Sequence, residues 1–374
     1  MTRAAARCLV LWLALAGTAQ AASGDTAHEE LTRPAEHSQP DPGKVGFVVL
    51  PVPRSDPTLG TGLTLTGLLM YRAEGSTRPW ISGAAAMYTD NDSKAAALFQ
   101  KSYLMHDRLR LSAAVAAFDL NLRFYGIGAN AGTRNISVPI EQQGTAVLAK
   151  GLYEVAPNIF AGPIVRYISL ETTIKVPPPP QLGIAIPPLQ LDAVSAGLGI
   201  ALEYDTRDSE LDPTHGTFAS VNAVYPRTDL GSDSNYGFLH FAYNRYLPVA
   251  PRWILALRAS TCSTTGDVPY FDLCLFGMHN DLRGYVGGQY RDRAMYAVQG
   301  EARWNFHGRW GAVAFGGTGA VAPSWSEFSG ATSLPSYGAG LRFLASKVHK
   351  VNISLDWARG RDDDAIYLRI GEAF

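Results

Sequence analysis

Residues 296–306 read Tyr296-Ala297-Val298-Gln299-Gly300-Glu301-Ala302-Arg303-Trp304-Asn305-Phe306. Successive side chains of a strand point to opposite faces. One face therefore carries Tyr296, Val298, Gly300, Ala302, Trp304 and Phe306, and the other carries Gln299, Glu301, Arg303 and Asn305. Such a strand suits hydrocarbon on one side and a wet interior on the other. An open sheet edge in lipid leaves backbone groups unpaired, so strands of this kind must close into a barrel. A soluble β-sandwich alternates in the opposite sense, core in and polar out. On this stretch alone both architectures stay open.

The same period extends in both directions. Val351, Ile353, Leu355 and Trp357 oppose Asn352, Ser354 and Asp356, and Leu198, Ile200, Leu202 and Tyr204 oppose Glu203 and Asp205. Counting such segments predicts an all-β fold, a transmembrane antiparallel β-barrel of roughly 16 strands, the first near 45–52 and the last near 364–374. The count drops to fourteen if the weaker segments within 138–172 do not both cross. Short connections at 105–108 and 247–252 alternate with longer ones at 173–189, 226–234, 264–292 and 322–335. That asymmetry, with both termini on the short-turn side, fits periplasmic turns and extracellular loops. The Pro-rich segment 176–188 reads as a stiff, extended surface loop.

At the N-terminus, Arg3 and Arg7 precede the apolar run from Cys8 to Gly17 and the small-residue site Ala19-Gln20-Ala21. Residues 1–21 thus read as a cleaved signal peptide, and no stretch reaches the roughly 20 apolar residues of a spanning helix. Residues 22–44 are polar and aperiodic, a periplasmic tail, and 45–374 form the barrel. Only 17% of residues are charged and the net charge is −1, which suggests neither nucleic acid nor a polybasic membrane tail. Of three cysteines, Cys8 leaves with the signal; Cys262 and Cys274 remain, and an even pair in an exported chain favours a disulfide over two free thiols. Closing so short a loop stabilises by about 2–3 kcal/mol in the chain-entropy picture. No metal-ligand spacing, cofactor motif or nucleophile elbow is present, so the expectation is a non-enzymatic protein without metal or cofactor.

Four stretches, spanning about the last 170 residues, resemble the BamA/TamA surface-antigen family. Asp205-Thr206-Arg207-Asp208, with Pro213 and Gly216, resembles the family's turn between barrel strands, where Asp and Gly shape the reversal and Arg satisfies carbonyls. Leu282-Arg283-Gly284-Tyr285, in the longest loop after GDVPYFDLCLFG, is similar to the family's R-G-aromatic loop tip. The resemblance implies an extracellular loop folded inward, its Arg283 docked on carboxylates of the following strands. Glu301 matches the first acceptor; the second belongs to an F-x-D-x-G pattern, but Phe315-Gly316-Gly317-Thr318-Gly319 has Gly317 at the Asp position. Arg283 is then left with Glu301 alone or borrows Asp356 from the inward face. The C-terminal Ile366, Leu368, Ile370 and Phe374 look like an outer-membrane sorting signal read by strand addition to the assembly machinery, with Glu372 breaking the apolar face near its end. Phe124-Tyr125-Gly126-Ile127-Gly128 also resembles a short family motif.

The resemblance implies a bacterial outer-membrane barrel linked to protein insertion or translocation. Its partners would be outer-membrane lipid, the barrel assembly machinery during biogenesis, and a periplasmic or client polypeptide. Family barrels usually follow periplasmic polypeptide-binding domains, and 22–44 is too short for one. Two readings follow: a stripped-down insertion or translocation barrel acting through a weak seam between its first and last strands, and a passive pore or structural barrel with the loop as plug.

Overall fold

The computed structural model describes residues 45–374 except 72, 74, 75, 77, 78, 175–188, 210, 211, 279, 280 and 347–350. The expected signal peptide, tail and Pro-rich loop lie outside the described residues. Half of the barrel is built from β1 (Val45–Asp56), β2 (Gly60–Tyr71), β3 (Trp80–Thr89), β4 (Lys94–Leu104), β5 (Leu109–Phe124), β6 (Val138–Ala156), β7 (Ile159–Ile174) and β8 (Leu189–Asp205). The other half comprises β9 (Gly216–Pro226), β10 (Tyr236–Ala250), β11 (Trp253–Gly266), β14 (Ala294–His307), β15 (Trp310–Ala322), β16 (Leu334–Ser346), β17 (Val351–Arg359) and β18 (Asp364–Ile370). Between β11 and β14, the long loop carries a two-stranded ribbon of β12 (Cys274–Leu275) and β13 (Arg291–Asp292).

All neighbours run antiparallel and β18 meets β1, giving a closed barrel of sixteen strands. Both β6 and β7 cross. The seam is uneven. β1 pairs with β2 from Val45 to Asp56, yet with β18 it is in register only at Ser55 and Leu368 among the described residues.

The parity read from sequence sets the two faces. Ile200 (65% exposed), Leu202, Val298, Trp304, Ile353, Leu355 and Trp357 point outward, while Gln299, Glu301 (0%), Arg303, Ser354 and Asp356 are buried inside. At the barrel end where β1 begins and β18 stops, Trp253 stacks on Trp304 at 5.3 Å and Trp310 packs on Phe343 at 4.9 Å. Such aromatic rings belong where hydrocarbon meets headgroups.

The interior is not uniformly wet as expected. Inward residues of β2 to β9 form apolar clusters: Leu68, Met70, Ile81 and Phe99 in one, Leu148, Leu152, Phe160 and Ile164 in another. A third, Phe118, Leu120, Ile168 and Leu170, is covered by Phe271 from the long loop. Charge concentrates on the inner wall of β11 to β17. The loop supplies a core of its own, in which Phe276, Leu282, Tyr285 and Tyr290 pack against Met295, Val321 and Leu334.

The last strand departs from the expected 364–374. β18 stops at Ile370, and Gly371 (φ +90°) turns the chain inward, burying Glu372, Ala373 and Phe374. Ile366 faces outward as expected; Phe374 does not, and packs with Tyr246 and Ala256 inside the barrel. A left-handed glycine reverses the alternation that a continuous strand would have kept.

Candidate functional site: a loop locked inside the barrel

Arg283 is the centre of the site. Its Nη1 donates to Asp356 Oδ2 at 2.7 Å and its Nη2 to Glu301 Oε2 at 2.6 Å and Gln299 Oε1 at 3.4 Å, with the guanidinium 3.3 Å from the centroid of Phe315. Both carboxylates act together, so Asp356 from β17 joins Glu301 from β14. Gly317 faces the same wall, where an added Cβ would come within 2.3 Å of the Val298 carbonyl. An acid there would need the backbone to move, and Asp356 fills the role from two strands away.

The neighbours of Arg283 fix the tip. The Ser336 hydroxyl donates to the Arg283 carbonyl at 2.6 Å, the Gly284 N–H donates to Tyr367 Oη at 2.8 Å, and Tyr285 Oη donates to the Pro335 carbonyl at 2.5 Å. Gly284 has φ +95°, and a Cβ would lie 2.6 Å from the Gly360 nitrogen, so only glycine fits this approach. On the other flank, Asp281 accepts from Ser260 Oγ at 2.9 Å and lies 3.8 Å from Arg258. Burial pushes the Asp281 carboxyl up to about 7 in spite of Arg258 and the Ser260 hydroxyl.

A second anchor was not read from sequence. Asp272, at the loop's near end, is buried between Arg166 of β7, whose Nη1 donates at 3.0 Å, and Tyr236 of β10, whose hydroxyl donates at 2.5 Å. Tyr236 also bonds Ser195 at 2.6 Å. The available signal was Arg166 itself, an inward charge between Ile164 and Ile168 that demands a partner. Two residues beyond Asp272, Cys274 is bonded to Cys262 of β11, with Cα atoms 5.6 Å apart. The loop is therefore tied at three places. The short helix α1 (Ala129–Thr133), which follows the Phe124–Gly128 motif, adds a lid: Gly128 N–H donates to the Arg291 carbonyl at 2.8 Å, and Arg291 lies over Phe124 at 4.9 Å.

The turn between β8 and β9 is a separate feature. Arg207 grips Asp205 with two bonds of 2.9 Å and covers Phe218 at 4.2 Å, so the expected carbonyl-satisfying arginine is bidentate on a carboxylate. Asp208 accepts from Thr214 N–H (2.8 Å), Thr214 Oγ1 (2.7 Å) and His215 N–H (3.2 Å). Burial raises this carboxyl, but those hydrogen bonds outweigh it and hold it below the ordinary range. Gly216 (φ +107°) passes so close to the Thr206 carbonyl that a Cβ would sit 2.2 Å away.

The seam is weakened by the early end of β18 at Ile370 and by the chemistry of β1. Pro51 and Pro53 lie in β1 and stay in register with Leu65 and Leu63 of β2. A proline keeps its place in a ladder when its missing N–H faces away from the partner. Here that side faces β18. In the Ser55–Leu368 register Pro53 lies opposite Ile370 and lacks a donor for that pair, while Pro51 lies beyond the end of β18, which stops at Ile370.

Comparison with known proteins agrees with this fold. Residues 78–374 match the model of the Omp85 superfamily domain. The fold is similar to the crystal structure of BamA from Haemophilus ducreyi lacking POTRA domains 1–3, at TM-score 0.57 and 14% identity, covering 89% of this chain and 70% of that one. It is also similar to CdiB from Acinetobacter baumannii (0.57, 11%, covering 87% and 59%) and CdiB from Escherichia coli (0.58, 12%, covering 89% and 63%). The chain thus spans about six-tenths of those CdiB chains. No curated protein matches at the sequence level. A closed sixteen-stranded barrel with its longest loop bound inside, together with a family match over most of its length, makes this chain a member of the Omp85 superfamily.

Proposed function

We propose that this protein inserts or translocates polypeptides at the bacterial outer membrane, acting through the seam between β1 and β18. The carrying observation is the mismatch between the two flanks of β1: fully in register with β2, paired with β18 at Ser55 and Leu368 alone among the described residues, with prolines on the free side. An unpaired strand edge is a template for another strand. A client segment adding there would gain main-chain hydrogen bonds at little cost, since few existing pairs must break. Outer-membrane lipid surrounds the belt, a client or periplasmic polypeptide engages the edge, and the assembly machinery builds the barrel itself. The role is mechanical and asks for no bond chemistry. Meanwhile the locked loop keeps the interior filled while the seam works.

The test is a disulfide across the seam, Ser55→Cys with Leu368→Cys, in protein reconstituted with an unfolded outer-membrane client. Client insertion should fall to background when the bond forms and return on its selective cleavage. Undiminished insertion with a sealed seam would exclude the proposal and leave the passive plugged barrel.

A further inference from the structure

Arg283 does not act alone. Glu301 gives Oε2 to Arg283 and Oε1 to Arg303 Nε at 2.7 Å; Asp356 gives Oδ2 to Arg283 and Oδ1 to Arg342 Nη1 at 2.5 Å. The same two arginines hold the inward-turned end of the chain. Arg342 Nε donates to Glu372 Oε2 at 2.7 Å, Arg303 Nη2 donates to the Phe374 carbonyl at 2.8 Å, and Asn352 Nδ2 donates to Glu372 Oε1 at 2.9 Å. Three guanidinium groups thus meet three carboxylates in a space where every one of these side chains is at most 5% exposed. The Ser354 hydroxyl donates to the Gly371 carbonyl, and Gly371 N–H donates to the Asn352 carbonyl at 2.7 Å.

We propose that Gly371–Phe374 is a releasable latch, held inside the barrel through Glu372 and coupled by Arg303 and Arg342 to the docking of Arg283. The geometry supplies the mechanism. Arg342 Nη2 already lies 3.4 Å from Asp356 Oδ2 and 3.9 Å from Glu301 Oε2, the two oxygens that Arg283 occupies. When Arg283 leaves, Arg303 and Arg342 still hold one oxygen of each carboxylate, but the other two oxygens lose their short bonds in a buried setting where an unmet acceptor is costly. Arg342 is the nearest replacement, and its swing towards them takes it off Glu372. Glu372, which lies beyond the last strand residue Ile370 and not in the sheet, is then the acid expelled. The effect is reciprocal, as coupling between two sites must be: without the Glu372 charge, Arg342 and Arg303 compete with Arg283 for Glu301 and Asp356. Because the latch continues β18 at the seam, the loop and the seam share one electrostatic balance. Glu372 thereby brings a third carboxylate to a network whose motif position 317 carries glycine.

The latch serves the proposed function, but its test uses no client, so a failed insertion assay and a failed latch are separable. The full chain, with its native disulfide intact, is refolded into lipid vesicles carrying Ala256→Cys and Ala373→Cys, two positions of one buried cluster. The rate of oxidative trapping then reports the inward tail. Arg283→Ala and Glu372→Gln should each slow trapping about tenfold, the loss of one charge-assisted hydrogen bond, and the double variant should be no slower than either alone. Trapping indifferent to Arg283→Ala, or a double effect equal to the product of the singles, overturns the coupling. Should Arg283→Ala not fold by heat-modifiable gel mobility, Glu372→Gln alone decides through the reciprocal arm: its single-channel flicker in planar bilayers must rise above wild type, and unchanged flicker rejects the proposal.

Discussion

Replacing Arg283 with Ala removes two buried charge-assisted bonds, of 2.7 and 2.6 Å, and the guanidinium packed on Phe315. Breaking a buried pair costs about 3–5 kcal/mol when the remaining charge is orphaned. Glu301 and Asp356 are not orphaned, because Arg303 and Arg342 still donate to them. The lower end, about 3 kcal/mol, is therefore the expected loss of docking free energy, or roughly two powers of ten in the undocked population. The loop would not leave altogether, since the Asp272 anchor and the disulfide still hold its near end. In planar bilayers the variant should flicker open roughly a hundred times more often than wild type, with heat-modifiable mobility showing both folded. Arg283→Lys should fall between the two, keeping the charge and losing the fork that reaches both carboxylates. A folded Arg283→Ala variant with wild-type conductance would refute the premise that these bonds hold the loop.

Other consequences are open to measurement. Pro53→Thr restores a donor opposite Ile370, the last residue of β18, and should tighten the seam, lowering client insertion while raising resistance to heat unfolding; faster insertion would contradict the role given to this proline. Asp272→Asn leaves Arg166 buried without its carboxylate and should destabilise loop docking by about 3 kcal/mol, read as protease cleavage within 266–277. Reducing Cys262–Cys274 should leave the Arg283 end docked, so conductance changes only when reduction is combined with Asp272→Asn. Asp281 takes up a proton on docking because its folded pKa, about 7, is raised above that of a free carboxylate, so docking should strengthen as pH falls below about 7 and lose that gain as pH rises through it. The slope is at most about tenfold per pH unit, and Asp281→Asn should flatten it.

The lock was partly legible because a strand's parity is local: once Val351–Ala358 alternates, Asp356 must face inward wherever the strand lies, and Glu301 likewise. What parity cannot give is distance across the barrel. Asp272 and Arg166 are 106 residues apart and meet only because the loop falls across the interior towards β7. The apolar inner wall of β2 to β9 was hidden for a related reason. Its inward Leu, Ile and Phe residues read as a second greasy face, and only the loop's Phe271 beside one cluster shows what covers it.

The sequence by itself determined an outward apolar belt, an antiparallel barrel of about sixteen strands and an arginine-tipped loop, because side-chain alternation and turn chemistry act between near neighbours along the chain. Only the tertiary structure decided that Asp356 serves where Gly317 cannot, that Asp272 adds a second anchor, and that Gly371 turns Glu372 and Phe374 inward. Each of those depends on which strands closure brings side by side. A buried charge takes the partner that geometry places within reach, and that partner need not be near it in the chain.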